Sequence, residues 1–319
     1  MILCVIMKIM NIPITQSREW HKLQQDLKEE SFLEEGNNYH YLAIKKSTPV
    51  GNYLYLPYGP IVGDKQGIKP SYNSLIKLAK RTNSLFIRIE PQSLDYINDL
   101  PIKPIKSTDL NPKETWVLDL KGTEEDLKNK LPSRLLRYYR NAEKNGITVT
   151  KSRNADDIKY LIELQNALAK EKGINTFSEE YLKTEAKQDF ATIYRAKYQN
   201  PDTNREEVVA AGLVFDDKTT RYNLQGAQND TGRKLHATGI LTIQLILDAK
   251  EKGLKIFDFW GIAPDNAPKD HPWKGFTAFK KTFAGYERQY AGTYDIVINK
   301  PKYYLYNVLR KINRLLRRG

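Results

Sequence analysis

DFWGIAPDNAPKDHPWKGFTAFKKTFAGYERQYAGTYDIVIN, residues 258–299, reads as a strand end passing through a proline-punctuated loop into a short helix. The strand ends at Asp258-Phe259-Trp260-Gly261, and the helix carries Phe279, Lys280 and Lys281, with Phe283 just after them. A lysine on a helix beside a strand's C-terminal end can reach into a cleft and stabilise a phosphate or an oxyanion. The plainer reading is that Phe279 and Phe283 are core at i, i+4 and the lysines a solvated edge; spacing alone favours it.

Working outward, Ile256 to Phe259 follows a long apolar helix predicted over Ala237 to Lys252, with Gly253 as its stop. Before it, Val208 to Phe215 and Arg221 to Gly226 form a hairpin around Asp216-Asp217-Lys218. Helices are expected over Ala155 to Lys172 and Glu179 to Ala186, and a very basic one over Ser133 to Lys144, closed by Asn145-Gly146. Thr115 to Leu120 is a strand, and Thr123 with Asp126 opens a helix as a capping box. The N-terminal third repeats the plan. A helix is expected over 16–35 with Ser17 as N-cap, paired strands over Tyr39 to Ile44 and Asn52 to Leu56, a helix over Ser71 to Thr82, and a buried strand from Leu85 to Ile89. Residues 92–113 read as an irregular linker. The expected class is α/β, with mixed α+β sheets in two related lobes, 1–113 completed by 293–319, and 114–292.

A chain of 319 residues with 40% hydrophobic and 28% charged residues folds rather than staying disordered. Fifty-one Lys and Arg against 38 Asp and Glu give +13, compatible with nucleic acid, a nucleotide-linked substrate or an anionic membrane surface. One cysteine, Cys4, excludes an internal disulfide, and His21, His40, His236 and His271 form no close pair, so no metal site is expected. The opening Met1 to Met7 is apolar but lacks the marks of a signal peptide and is far shorter than a span; it reads as a first strand, or translation begins at Met7. The chain is expected to be cytoplasmic and monomeric. Its tail from Lys300 is a basic amphipathic helix, suited either to an anionic membrane surface contacted peripherally or to docking on the first lobe.

Several of these segments together resemble the FemABX family, the tRNA-dependent aminoacyltransferases that build the interpeptide bridge of peptidoglycan. Its C-terminal signature, D-x-x-G-(I/V), a loop, F-K-(K/H)-x-(F/Y), then an E-Y-x-G-like strand, is met by Asp258, Gly261, Ile262, Phe279, Lys280, Lys281, Phe283, Tyr290 and Gly292. Gln16-Ser17-Arg18-Glu19-Trp20 is similar to its Q-(S/T/D)-x-x-W helix, and Tyr55 to Val62 to its Y-x-x-(R/K)-G-P-V crossing, with Tyr58 where a basic residue is usual. Ile87 to Pro91, Thr115 to Gly146 and Tyr222 to Gly226 resemble further family segments in the family's order. The compact, FemX-like type is implied, because no helical hairpin insertion stands between Asn200 and Val208.

The resemblance implies two GNAT-like lobes with a cleft between them. It also implies transfer of a glycine-, alanine- or serine-type amino acid from aminoacyl-tRNA to the stem-peptide amine of lipid II or UDP-MurNAc-pentapeptide, with no cofactor beyond the tRNA co-substrate. Lys280 matches the lysine that stabilises charge at the reacting carbonyl, Phe279 a wall beside it, and Glu90 an acidic residue once considered a base. Tyr181, Lys22, Tyr222 and Lys281 are the implied substrate contacts, although Phe177 stands where an arginine is usual. Arg134, Arg137, Arg140 and Lys144, interleaved with Tyr138 and Tyr139, are read as holding tRNA or precursor phosphates. His236 and His271 are read as ordinary loop or helix-start residues.

Two other readings stand beside this one. A GNAT-type N-acyltransferase using another acyl donor such as acyl-CoA would show an (R/Q)-x-x-G-x-(G/A) loop after the 221–226 strand, where the chain has Gln228 to His236. A non-catalytic nucleic-acid-binding protein would need the basic residues but no Phe-Lys helix beside a strand-end carboxylate.

Overall fold

A computed structural model describes residues 12–173 and 175–316, with side chains up to residue 313. The Met1 to Met7 opening with Cys4, and the tail residues Arg317, Arg318 and Gly319, lie outside them. The chain forms two compact units, one holding residues up to Lys113 and again from Gln289, the other spanning Glu114–Arg288. The chain thus returns to the first unit four residues before position 293, where the sequence reading put it.

The first unit is built on strands β1 (Ser31–Gly36), β2 (Tyr39–Thr48), β3 (Gly51–Leu56), β4 (Ile61–Val62), β5 (Ser84–Ile89), β6 (Ile105–Lys106) and β14 (Tyr294–Val297), with helices α1 (Arg18–Asp26), α2 (Ile68–Arg81), α3 (Leu94–Asn98) and α11 (Lys300–Leu316). The strand order is β1-β2-β3-β5-β14-β6, with β4 on β2. β2 and β3 form the expected hairpin, Thr48 facing Gly51. The crossover through α2 makes β3 and β5 parallel, because a chain leaving one strand end must return along a helix to pair in the same direction.

Every residue of β5 is buried, as expected for a strand covered on both faces. Ile87 and Ile89 join Leu75, Leu78 and Ala79 of α2 in one cluster, while Leu85 and Phe86 pack with Tyr303 of α11 in another. The guanidinium of Arg88 is buried on the second side and donates to both carboxylate oxygens of Asp295 at 2.8 Å.

The Gln16 motif acts inside this unit. The Gln16 side chain donates to the carbonyls of Pro57 (2.8 Å) and Leu42 (3.2 Å) and accepts from the amide of Leu42 (2.8 Å), tying the chain entry to β2 and the crossing. Ser17 caps α1 through the amide of Trp20. The helix expected over 16–35 stops at Asp26; Lys28 takes φ +60° and Ser31–Gly36 becomes an edge strand on β2. Residues 92–113 are likewise more than a linker, since they hold α3 and the strand β6 paired to β14.

The second unit holds β7 (Glu114–Asp119), β8 (Ile147–Ser152), β9 (Ala191–Asn200), β10 (Arg205–Asp216), β11 (Thr220–Gln228), β12 (Ile256–Gly261) and β13 (Tyr286–Gln289). Its helices are α4 (Glu124–Lys130), α5 (Ser133–Arg140), α6 (Ile158–Lys172), α7 (Glu179–Ala186), α8 (Asp230–Lys234), α9 (Ala237–Glu251) and α10 (Lys274–Lys281). The order is β13-β7-β12-β11-β10-β9-β8; β7–β12, β10–β11, β9–β10 and β8–β9 pair antiparallel, while β11 and β12, joined through α9, pair in parallel. Each unit therefore carries a strand–helix–strand crossover beside an antiparallel meander, the architecture of GNAT-like acyltransferases.

The apolar α9 is the centre of the second core: Ile240, Leu241, Ile243, Leu245, Ile246 and Ala249 cluster with Phe257 and Phe259 of β12 and with Leu136 of α5. Arg221, fully buried, donates to both oxygens of Asp216 (2.7 Å each) and to Asp248 (2.9 Å), so its charge is paired on two sides.

Candidate active site

In the second unit, the Asp-x-x-Gly segment ends β12 with a built turn. Asp258 is fully buried and accepts from the amide of Trp260 at 2.8 Å, the local Asx geometry that lets a short carboxylate steer the chain two residues on. Trp260 sits at φ +66°, an uncommon conformation for a bulky side chain, and the register between β12 and β7 slips between Asp258 and Gly261. The turn brings the carbonyl of Gly261 to Lys280, whose Nζ donates to it at 2.7 Å. Thr115 and Arg288 also approach the Asp258 carboxylate, each at 3.5 Å.

Helix α10 presents Lys280 from the other side. Thr277, one turn earlier, accepts the amide of Ala263 at 2.8 Å and pins the loop to the helix. Phe279 packs on the core with its ring edge-on to Phe283, and Phe283's carbonyl accepts from the indole of Trp116 at 3.0 Å. Past the helix, Gly285 lies so close to β7 that a Cβ would stand 2.3 Å from the carbonyl of Val117; only glycine passes there. Lys280 is thus held by a fixed helix, with the ring of Phe276 5.0 Å beneath its ammonium.

Burial pushes the Asp258 carboxyl up to about 6, against the pull of Arg288, the Trp260 amide and Lys280. Burial also brings the Lys280 ammonium down to about 8, and the negative charge of Asp258 opposes that fall. Near neutral pH the pair is a carboxylate and an ammonium, each close to its titration point. Such perturbed pairs gather at functional sites.

Lys281 faces elsewhere. It pairs with Asp265 of the loop at 2.7 Å and lies over the Trp116 ring, so it fastens the Ala263 to Lys274 loop. Tyr222 is buried and donates to Asp217 at 2.8 Å in the β10–β11 turn. Tyr181, on α7, stacks on Phe177 at 5.0 Å and hydrogen-bonds Glu185, whose buried carboxyl is pushed up to about 8 by desolvation. The phenol of Tyr181 is thereby engaged from within, and Phe177 offers a ring rather than a charge beside it.

Glu90, in the first unit, is a junction of donors. One oxygen accepts from the Leu110 and Asn111 amides and the Thr293 hydroxyl (3.3, 3.1 and 2.8 Å), the other from Tyr55 and the Asn111 side chain (2.8 Å each). Buried and surrounded by five donors, it serves as the anchor of the 109–111 loop, and that geometry speaks against a base. Lys22 is exposed on α1.

The basic helix is shorter than the sequence suggests. α5 ends at Arg140, and Lys144 lies in a separate 3-10 turn closed by Gly146 at φ +74°. Arg134, Arg137 and Arg140 are exposed. The guanidinium groups of Arg134 and Arg137 lie 5.6 and 5.9 Å from the ring of Tyr138, which stacks on His236 at 4.1 Å. His236 therefore joins this cluster, a role sequence reasoning missed: it is 98 residues from Tyr138 and sits at φ +56° before α9. At the same helix start the amide of Thr238 is taken by the Gln228 side chain (3.4 Å), and α8 precedes it, an arrangement unlike an open pyrophosphate cradle.

Among the described residues no cluster of His, Cys, Asp and Glu could hold a metal ion. No described helix is long and apolar enough to cross a membrane.

The two units share a mixed α/β, GNAT-like fold, and the second carries the lysine-bearing strand–loop–helix. Over residues 182–311 the chain matches the FemAB family. Over 85 residues it is 34% identical to a lipid II:glycine glycyltransferase of Staphylococcus haemolyticus and 33% identical to one of Staphylococcus epidermidis. Each match spans 26% of this chain but only 20% of the relative. Among solved structures, FemX superposes with a TM-score of 0.79 at 18% identity, covering 94% of this chain and 96% of that one. The C-terminal domain of a lysylphosphatidylglycerol synthetase described as putative, from Agrobacterium fabrum, gives 0.62 at 14% identity, with 94% of each chain covered.

Proposed function

We propose that the chain is an aminoacyltransferase that moves an amino acid of the glycine, alanine or serine type from aminoacyl-tRNA to the stem-peptide amine of a peptidoglycan precursor. The observation that carries the reading is Lys280, fixed on α10 by Gly261 and paired electrostatically with buried Asp258. Attack of an amine on the ester carbonyl places negative charge on the carbonyl oxygen, and the tRNA 3′-terminal ribose oxygen then leaves with a proton. A partly dehydrated ammonium contributes most where such charge develops. The ring of Phe276 lies 5.0 Å from the Lys280 ammonium as an apolar neighbour, while Phe279 packs on the core. The stem amine supplies its own proton to solvent or to the leaving ribose, since Glu90 is fully engaged.

The arginines of α5 with Tyr138 and His236 suit a ribose-phosphate chain, charge meeting phosphate and rings meeting bases. Tyr181 with Phe177, and the loop held by Lys281, are proposed to meet the precursor. A nucleotide-linked precursor would leave the protein in solution; a lipid-linked one would bring it peripherally to a membrane. Names of relatives supporting the second are the two staphylococcal lipid II:glycine glycyltransferases. Incubating the chain with pools of charged tRNA and each precursor, then weighing the products, tests the reading. A gain of one amino-acid residue on either precursor supports it; unchanged precursors with every charged tRNA would reject it.

A further inference from the structure

Helix α11 has two apolar sides, and the first unit uses one. Tyr303 and Tyr306 turn inward onto Phe86, with ring centroids at 5.2 and 5.0 Å, and Tyr303 also donates to buried Asp295. At ~100° per residue, Tyr304, Leu305, Val308, Leu309 and Ile312 fall together on the opposite side, over an arc of roughly 140°. They are in solvent: Tyr304 is 76% exposed, Leu305 50%, Val308 51% and Ile312 46%. An amphipathic helix ordinarily has one apolar side, facing its core. Here the outward side is apolar as well.

Charge identifies the occupant. No Asp or Glu follows Asp295, while Lys300, Lys302, Arg310 and Lys311 lie on the helix and Arg314, Arg317 and Arg318 continue the basic run in the sequence. Lys302 and Lys311 project to either edge of the apolar arc by the same helical geometry. A second copy of so basic a helix would repel it, and nucleic acid offers nothing for five apolar side chains. An anionic lipid surface satisfies both, taking the stripe at the level of the acyl boundary and the lysines at the headgroups. We propose that α11 lies flat on an anionic membrane, with Tyr304, Leu305, Val308, Leu309 and Ile312 inserted and the inward tyrosines keeping the first unit attached to it.

The test is co-sedimentation of the full chain with phosphatidylcholine vesicles and with vesicles containing about 30% phosphatidylglycerol, without tRNA or precursor. Its outcome is therefore separate from any test of transfer. The expected result is salt-sensitive binding to the anionic vesicles, with the bound fraction reduced at least about fivefold by Leu305→Glu/Val308→Glu/Ile312→Glu at unchanged Tm. Lys302→Gln/Lys311→Gln, which leaves the stripe intact, is expected to weaken binding to anionic vesicles selectively. Absence of binding to anionic vesicles overturns the proposal, as does equal binding by the triple variant. So does a wild-type dimer that the triple variant dissociates, which puts a second copy on the stripe. Vesicle binding seen only after deletion of residues 2–11 puts that segment there and equally overturns it.

Discussion

Lys280 combines a fixed position with a charge that is easily lost. Replacing it with alanine is expected to lower the rate of transfer by about 100- to 1,000-fold, the scale seen when one oxyanion donor is removed. Its ammonium, held down to about 8 by burial, is expected to set the pH dependence of transfer. The charged form is present below that value and is lost as pH rises through it. Transfer rates corrected for ionisation of the acceptor amine should therefore fall above about pH 8 in a stopped-time assay; a rate that stays flat to pH 10 would remove the ammonium from the reaction. Stability moves the other way. A lysine whose folded pKa lies below its ordinary 10.5 penalises the native state while charged, so the native state gains stability as pH rises from about 8 toward 10.5. Lys280 as a candidate was legible through the order of motifs. The saturation of Glu90 was not, because its donors Tyr55, Asn111 and Thr293 come from three separate places in the sequence.

At the scale of elements, the parts with local signals were readable. Ser17 and the Thr123–Asp126 capping box mark their helices correctly, since a cap is a contact between near neighbours. β9 was missed although Thr192, Tyr194 and Ala196 alternate along it, and β1 was absorbed into a helix because Ser31–Gly36 has weak alternation and lies on an edge. The 133–144 helix breaks after Arg140, where Asn141 ends it and Gly146 takes positive φ. Two element-scale consequences can be measured. Reversing Arg134, Arg137 and Arg140 to glutamate is expected to weaken binding of charged tRNA and lower the slope of log K against log salt by about 2 to 3; an unchanged slope would return α5 to a merely solvated face. Truncating Asp295 to alanine strands the buried Arg88 guanidinium, and is expected to cost about 3–5 kcal/mol in urea unfolding.

The whole molecule repeats one plan twice, and its two halves are joined by sequence in an uneven way. The first unit needs strand β14, inserted between β5 and β6, and helix α11, both taken from the C-terminal end of the chain. That return was visible only through the family resemblance, since no local pattern says which sheet a late strand will enter. A chain ending at Arg288 should accordingly lose the first unit's cooperative unfolding in calorimetry while the second unit keeps its own transition; two intact transitions would contradict the division.

Lys280 is proposed to act on an aminoacyl group carried by tRNA. The most direct measurement is single-turnover transfer from charged tRNA to a peptidoglycan precursor, read by product mass, for the wild-type chain and Lys280→Ala with matched unfolding profiles. A product heavier by one amino-acid residue is expected from the wild type and almost none from the variant. Equal product from both, or none from either with every charged tRNA and both precursors, would contradict it.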